Sequence, residues 1–163
     1  MAFDIERKAP FGGYCLFLDQ ELHVLGTSMD KIRDDREQPI ALCEAAMVPL
    51  TLLQDPAAFR GRTIIWYVDN TVATASFVKG SSGNLRLQKI VHLFWMLTYL
   101  LEIEVWFEWV ESKANWSDGI SRTFEKDVFA RDHGFTTEPF LVDMHFWMDE
   151  PHKVWVQLSA MCA

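Results

Sequence analysis

The 163-residue chain predicts an α/β domain, a five-stranded mixed sheet flanked by helices. Three observations carry this. Residues 64–68 (Ile-Ile-Trp-Tyr-Val) and 103–110 are almost continuous apolar runs, the pattern of strands covered on both faces. The stretch between them has helical periodicity. The chain ahead of residue 39 alternates short apolar segments with turns. Strand, strand, strand, helix, strand, helices, strand, helix is the order of a mixed sheet with helices packed on it.

Residues 2–5 read as a short strand, and Arg7-Lys8-Ala9-Pro10 as a solvated loop. Residues 12–18 and 22–25 read as strands joined by the turn Asp19-Gln20-Glu21. Residues 27–38 are highly charged and predict an exposed loop. Pro39 suits the first turn of a helix over 40–54. Leu42, Ala45, Ala46, Pro49, Leu50 and Leu53 form its core face, Pro49 should kink it, and Asp55-Pro56 ends it. After Gly61, the central strand 62–68 delivers Asp69-Asn70. A short helix over 70–78 ends at Lys79-Gly80-Ser81-Ser82-Gly83. A longer helix over 84–101 presents Leu87, Ile90, Val91, Phe94, Leu97 and Leu101 on one face, and the second central strand follows.

Composition narrows the function classes. Half of the residues are hydrophobic and 13% aromatic, enough for a substantial core. Three cysteines (Cys15, Cys43, Cys162) give an odd number without metal-type spacing, which points to a reducing, intracellular compartment. The first residues lack the apolar core of a signal peptide. The most apolar run, 90–101, contains His92 and is too short to span a bilayer, so no membrane span is expected. The net charge of −8 counts against free-standing nucleic-acid binding, where a basic face supplies the affinity.

A buried strand that ends in Asp69, and a later short helix that brings Asp118, is a way to build a carboxylate cage for a divalent cation. Hard cations take oxygen ligands, and crowded carboxylates repel one another unless a cation lies between them. Asp69 is the stronger candidate, because the C-terminal ends of sheet strands open onto the site crevice in α/β folds.

Three segments carry a family resemblance: Trp66-Tyr67-Val68-Asp69-Asn70-Thr71, Lys79-Gly80-Ser81-Ser82, and residues 108–122 (Glu-Trp-Val-Glu-Ser-Lys-Ala-Asn-Trp-Ser-Asp-Gly-Ile-Ser-Arg). Over residues 1–122 the chain resembles the ribonuclease H-like domains at the C-terminal end of reverse transcriptases, in particular those of tyrosine-recombinase (DIRS-like) retrotransposons. The resemblance implies a ribonuclease H-like fold and a metal-dependent endoribonuclease that cuts the RNA strand of RNA–DNA hybrids. It implies two Mg²⁺ ions, with Mn²⁺ able to substitute, held by Asp4, Glu44, Asp69 and Asp118. Asp4 stands in the first strand, Glu44 in the first helix, Asp69 at the end of the fourth strand and Asp118 in the last helix. The first motif departs from the family pattern: it is Asp4-Ile5-Glu6, so Glu6 competes with Asp4. The loop before the last helix, Glu111-Ser112-Lys113-Ala114, carries no His. Residues 79–101 hold only Lys79, Arg86 and Lys89 as fixed cations and form no basic handle for a hybrid.

Asn70, Ser81, Ser82 and Arg122 complete the candidate list as substrate contacts. Each has a simpler role beside it. Asn70, like Asn115, can orient a loop through backbone hydrogen bonds. Ser81 and Ser82 can cap the next helix, and Arg122 can be a solvated surface residue. His23, His92, His133, His145 and His152 are scattered without metal-ligand spacing. Residues 123–163 form an aromatic, acidic C-terminal extension, three basic against seven acidic residues for a balance of −4. It packs on this domain or on a partner such as a reverse transcriptase domain or another protein subunit. The acidic balance, the altered first motif and this tail support an alternative: a catalytically inactive ribonuclease H-like module acting as a structural or protein-binding subunit.

Overall fold

The computed structural model describes residues 2–4, 11–18, 21–28, 39–115, 117, 128–134, 137–139 and 151–161. In chain order these form β1 (Ala2–Asp4), β2 (Phe11–Leu18), β3 (Glu21–Ser28), α1 (Pro39–Gln54), α2 (Pro56–Phe59), β4 (Thr63–Val68), α3 (Thr71–Lys79), α4 (Leu85–Leu100), β5 (Glu104–Trp109), a 3₁₀ turn (Ser112–Ala114), α5 (Val128–Asp132), β6 (Thr137–Pro139) and α6 (Pro151–Met161). The α/β class is as the sequence predicts, and α1, α3 and α4 fall within a residue or two of their expected bounds, while α2 was not expected.

The sheet differs from expectation. Among the described residues the strands form two hydrogen-bonded sheets, in place of one with five strands. One has the order β1-β2-β3-β6, and the other pairs β4 with β5. β1 and β2 are antiparallel, as are β2 and β3, and β6 adds to β3 in parallel. β4 and β5 run parallel in register from Thr63↔Glu104 to Val68↔Trp109. β1 accounts for the separation. It has three residues, all paired with β2 from Ala2↔Gly13 to Asp4↔Phe11, so it offers few main-chain groups to a second neighbour.

The second correction concerns β4 and β5. Both were expected to be covered on two faces, yet Ile65, Tyr67 and Trp106 are exposed. Only the alternate set is shielded, with Trp66 and Val68 buried and Ile64, Val105 and Phe107 packed against the core. Apolar residues on both faces masked a period-two pattern of burial.

α1 is more deeply placed than an amphipathic helix. Every residue from Ala41 to Leu53 is buried, including those opposite the predicted core face. A helix apolar all round belongs in the interior, and α1 packs against β1, β2, α3 and α4. Its buried Thr51 hydroxyl is satisfied by donating to Met47 O at 2.7 Å.

An aromatic cluster joins the second sheet to its helices. Phe94 of α4 meets Phe77 of α3 at 5.1 Å, Phe107 of β5 at 5.4 Å and Trp66 of β4 at 6.2 Å, all edge-on. Phe77 stacks on Phe107 at 5.1 Å. Such pairs add to the burial of the rings themselves. The C-terminal extension also packs on this body. Val154 and Leu158 of α6 are buried, α6 lies against α4, and Trp155 approaches Tyr99 at 6.3 Å.

Two helices stop in the same way. After α3, Gly80 takes φ 72°, its N–H bonds Phe77 O, and Ser81 N–H bonds Ser76 O. That is a Schellman motif with glycine in its left-handed position. After α4, Glu102 N–H bonds Tyr99 O and Ile103 N–H bonds Thr98 O, with Glu102 at φ 56°. A glutamate stands where the motif favours glycine, so the sequence carries no sign of it.

Two stability predictions follow from these contacts. Phe94→Ala, which empties the centre of the cluster, is expected to lower unfolding free energy by about 3–5 kcal/mol in a denaturant titration. Glu102→Gly removes left-handed strain and is expected to raise it by about 1 kcal/mol; a loss in the same titration would refute the strain argument.

Candidate functional site

The site is anchored where β4 becomes α3. Val68 is the last residue of β4 and pairs with Trp109, while Val110 N–H extends the ladder to Val68 O at 3.1 Å. Asp69 comes next, at the C-terminal end of a strand in the parallel pair. Its carbonyl accepts the Trp109 indole N–H at 3.3 Å. Its Oδ1 atom is buried and has no hydrogen-bond partner. An ionised oxygen removed from water without a donor is destabilising.

Asn70 holds the junction rigid. Its Oδ1 accepts the N–H groups of Val72 and Ala73, both at 3.0 Å, as an N-cap. Its carbonyl accepts Thr74 N–H and Thr74 Oγ1–H, both at 2.9 Å. With its side-chain oxygen committed to the cap, Asn70 serves to fix the backbone that carries Asp69.

Glu44 lies in the second turn of α1 and is buried at 7% exposure. It is the one charged residue between Pro39 and Gln54. α1 packs against α3, the helix that Asp69 leads into, so both described carboxyls belong to one packed unit. Asp4 ends β1, which also packs against α1. The side chain of Asp4, and Glu6, Asp118 and Arg122 altogether, lie outside the described residues. Among the described residues no three His, Cys, Asp or Glu side chains are grouped to hold a metal ion.

The approach to residue 118 is nonetheless organised. The 3₁₀ turn Ser112–Ala114 is exposed, Lys113 included. Asn115 Oδ1 then accepts both the N–H and the Oγ–H of Ser117, at 3.1 and 2.7 Å, and Ser117 is buried at 3% exposure. The side chain of Asn115 thus shapes the chain one residue before Asp118.

The Gly80–Asn84 loop is tied internally. Ser81 N–H closes the Schellman motif. Ser82 N–H donates to Gln88 Oε1 at 2.5 Å, and Ser82 Oγ accepts Asn84 N–H at 3.3 Å. The cap of α4 is Asn84, whose Oδ1 accepts the N–H groups of Arg86 and Leu87. Ser82 therefore supports the capping residue without being the cap. The side chain of Gln88 also contacts His92 Nε2 at 2.5 Å.

Trp109 is the residue beside the candidate site that sequence reasoning missed. It reads as one more core aromatic in an apolar strand, yet it is 54% exposed and holds the Asp69 carbonyl through its indole N–H. Its place one residue before the end of a predicted central strand was the available signal.

Comparison of the chain with protein-family models, curated proteins and solved structures finds no match. No helix among the described residues is long and apolar enough to cross a membrane.

Asn70→Ala removes the cap of α3 and the anchor of Asp69 together. It is expected to destabilise the fold by about 1 kcal/mol, measured by thermal or chemical unfolding. Asn70→Asp should retain most of that stability, since it keeps the accepting oxygen.

Proposed function

We propose that the chain is a ribonuclease H-like domain, derived from or part of a retroelement reverse transcriptase, that cuts the RNA strand of RNA–DNA hybrids. The observation that carries the reading is Asp69. It follows a parallel strand that is buried on one face, its backbone is fixed by Asn70 and Trp109, and its Oδ1 is buried without a hydrogen-bond donor. The order of elements supports the same reading: an antiparallel β1-β2-β3 meander, α1, and a parallel β4–β5 pair linked through α3 and α4. In this proposal β1, at the edge of the first sheet, lies beside β4, at the edge of the second, and completes five strands.

Asp4, Glu44, Asp69 and Asp118 would hold two Mg²⁺ or Mn²⁺ ions. Bound there, the ions supply an activated water and charge stabilisation for the leaving 3′-oxygen. The protein's own part is placement. Asn70 and Trp109 fix Asp69, α1 fixes Glu44, and Asn115 shapes the entry to Asp118. Hybrids are told from DNA duplexes by their 2′-hydroxyls. With a net charge of −8 the domain grips a hybrid weakly, so cleavage should fall steeply with salt, as for a domain that relies on a neighbour to hold its substrate.

The test combines binding with activity. Mn²⁺ should raise the melting temperature of the wild type and leave that of Asp69→Asn unmoved. In metal-free buffer Asp69→Asn should melt close to the wild type, because the amide keeps the shape of the carboxylate. At low salt the wild type should cleave the RNA of a hybrid to 5′-phosphate and 3′-hydroxyl ends, and Asp69→Asn should not. A folded wild type that neither gains stability from Mn²⁺ nor cleaves would replace this proposal with the inactive-module alternative.

A further inference from the structure

The outer face of β4–β5 takes no part in the proposed site. In register, it presents Thr63 beside Glu104, Ile65 beside Trp106, and Tyr67 beside Glu108. Ile65, Tyr67 and Trp106 are 58%, 56% and 64% exposed. Together they offer on the order of 400 Å² of apolar surface, the size of patch that marks an interaction site on a monomer. Its polar groups are already arranged. Trp106 Nε1–H donates to Glu108 Oε1 at 2.7 Å, and Thr63 Oγ1–H donates to Glu104 Oε2 at 3.2 Å. Trp106 thus stands between two carboxylates on its own strand, each about 7 Å along at the usual strand rise.

Charge decides what can cover it. Among the described residues the face holds two carboxylates and no cation in its strands, and residues 101–112 contain Glu102, Glu104, Glu108 and Glu111 without a single Lys or Arg. Phosphates are repelled, which removes nucleic acid as the occupant. A second copy, face to face, would set Glu104 and Glu108 against their own kind, over about half of the ~800 Å² per partner that a stable interface needs. The chain's own apolar stretch at 140–150 brings Asp143, Asp149 and Glu150 and no Lys or Arg. A cation suits the face on two counts, through the ring of Trp106 and through the flanking carboxylates.

We propose that the outer face of β4–β5 is a docking surface for a cationic amphipathic segment of a partner protein, with an Arg or Lys over Trp106 between Glu104 and Glu108, and an apolar side chain over Ile65 and Tyr67. This stands whether or not the chain cleaves hybrids.

The probe is a synthetic helical peptide with Leu along one face and Arg along the other, titrated against the full chain at physiological salt. Trp106→Ala with Glu108→Gln should weaken binding by roughly tenfold or more. Asp132→Asn, which removes an exposed charge elsewhere, should leave it unchanged, and a peptide with Glu in place of Arg should not bind. Circular dichroism checks the fold. Should Trp106→Ala fail to fold, Trp106→Phe with Glu104→Gln and Glu108→Gln gives the same reading. Equal weakening by Asp132→Asn, or none by the face variants, overturns the proposal. So does a dimer, seen by sedimentation, that Trp106→Ala dissolves. So does shielding of Trp106 from acrylamide in the isolated chain, read as the difference between wild type and Trp106→Phe, since the chain would then cover the face itself.

Discussion

The packing of Phe94 is the constraint on which the second half of the molecule depends. Its ring touches Phe77, Phe107 and Trp66, one from each of α3, β5 and β4. A two-stranded parallel sheet has little stability of its own. Here it is the helices above it, packed through Phe94, Phe77 and the rest of the buried core, that keep β4 and β5 in place. Asp69 sits where it does because Val68 is buried on that side and α3 starts on that side. Loosening the cluster would therefore displace the candidate site without touching any residue in it.

A second layer lies beneath. α1 is enclosed by other elements, and its only charge, Glu44, goes inside with it. An interior helix gains most from being wholly apolar, and a buried carboxyl opposes that. Asp69 Oδ1 repeats the conflict at the end of β4. Glu44 and the Oδ1 of Asp69 are thus both withdrawn from solvent, on elements that pack together.

Much of this was legible in the sequence. The helices announced themselves through periodicity and through the Lys79–Gly83 break between them, whereas the caps Asn70 and Asn84 were read as parts of the helices. Leu87, Ile90, Val91, Phe94, Leu97 and Leu101 are all buried, as the spacing required. Three things were not legible. The all-round burial of α1 depends on which elements surround it, and no pattern within the helix states that. The exposed face of β4–β5 was hidden because Ile65, Tyr67 and Trp106 look like core residues, and only the fold shows that they lie open. The turn at Glu102 escaped because a glutamate stands at the left-handed position where the motif favours glycine. At the site, Asp69 could be singled out from its place after an apolar run, whereas the bond from Trp109 could not, since it joins residues 40 apart in the chain.

That separation bears on how the chain folds. β4 and β5 pair in register across 41 residues, as between Thr63 and Glu104. Closing so long a flexible loop is entropically slow. The segment between them is not left flexible. Asn70, Gly80 and Asn84 set the ends of α3 and α4 through bonds that span only a few residues, and Glu102 closes α4 in the same local way. Each can form before any strand pairs. Once they have, two rods with fixed ends replace a 41-residue coil, and few arrangements remain for β5 to search. The turn at Glu102 thus sets the direction in which the chain leaves α4, just ahead of β5.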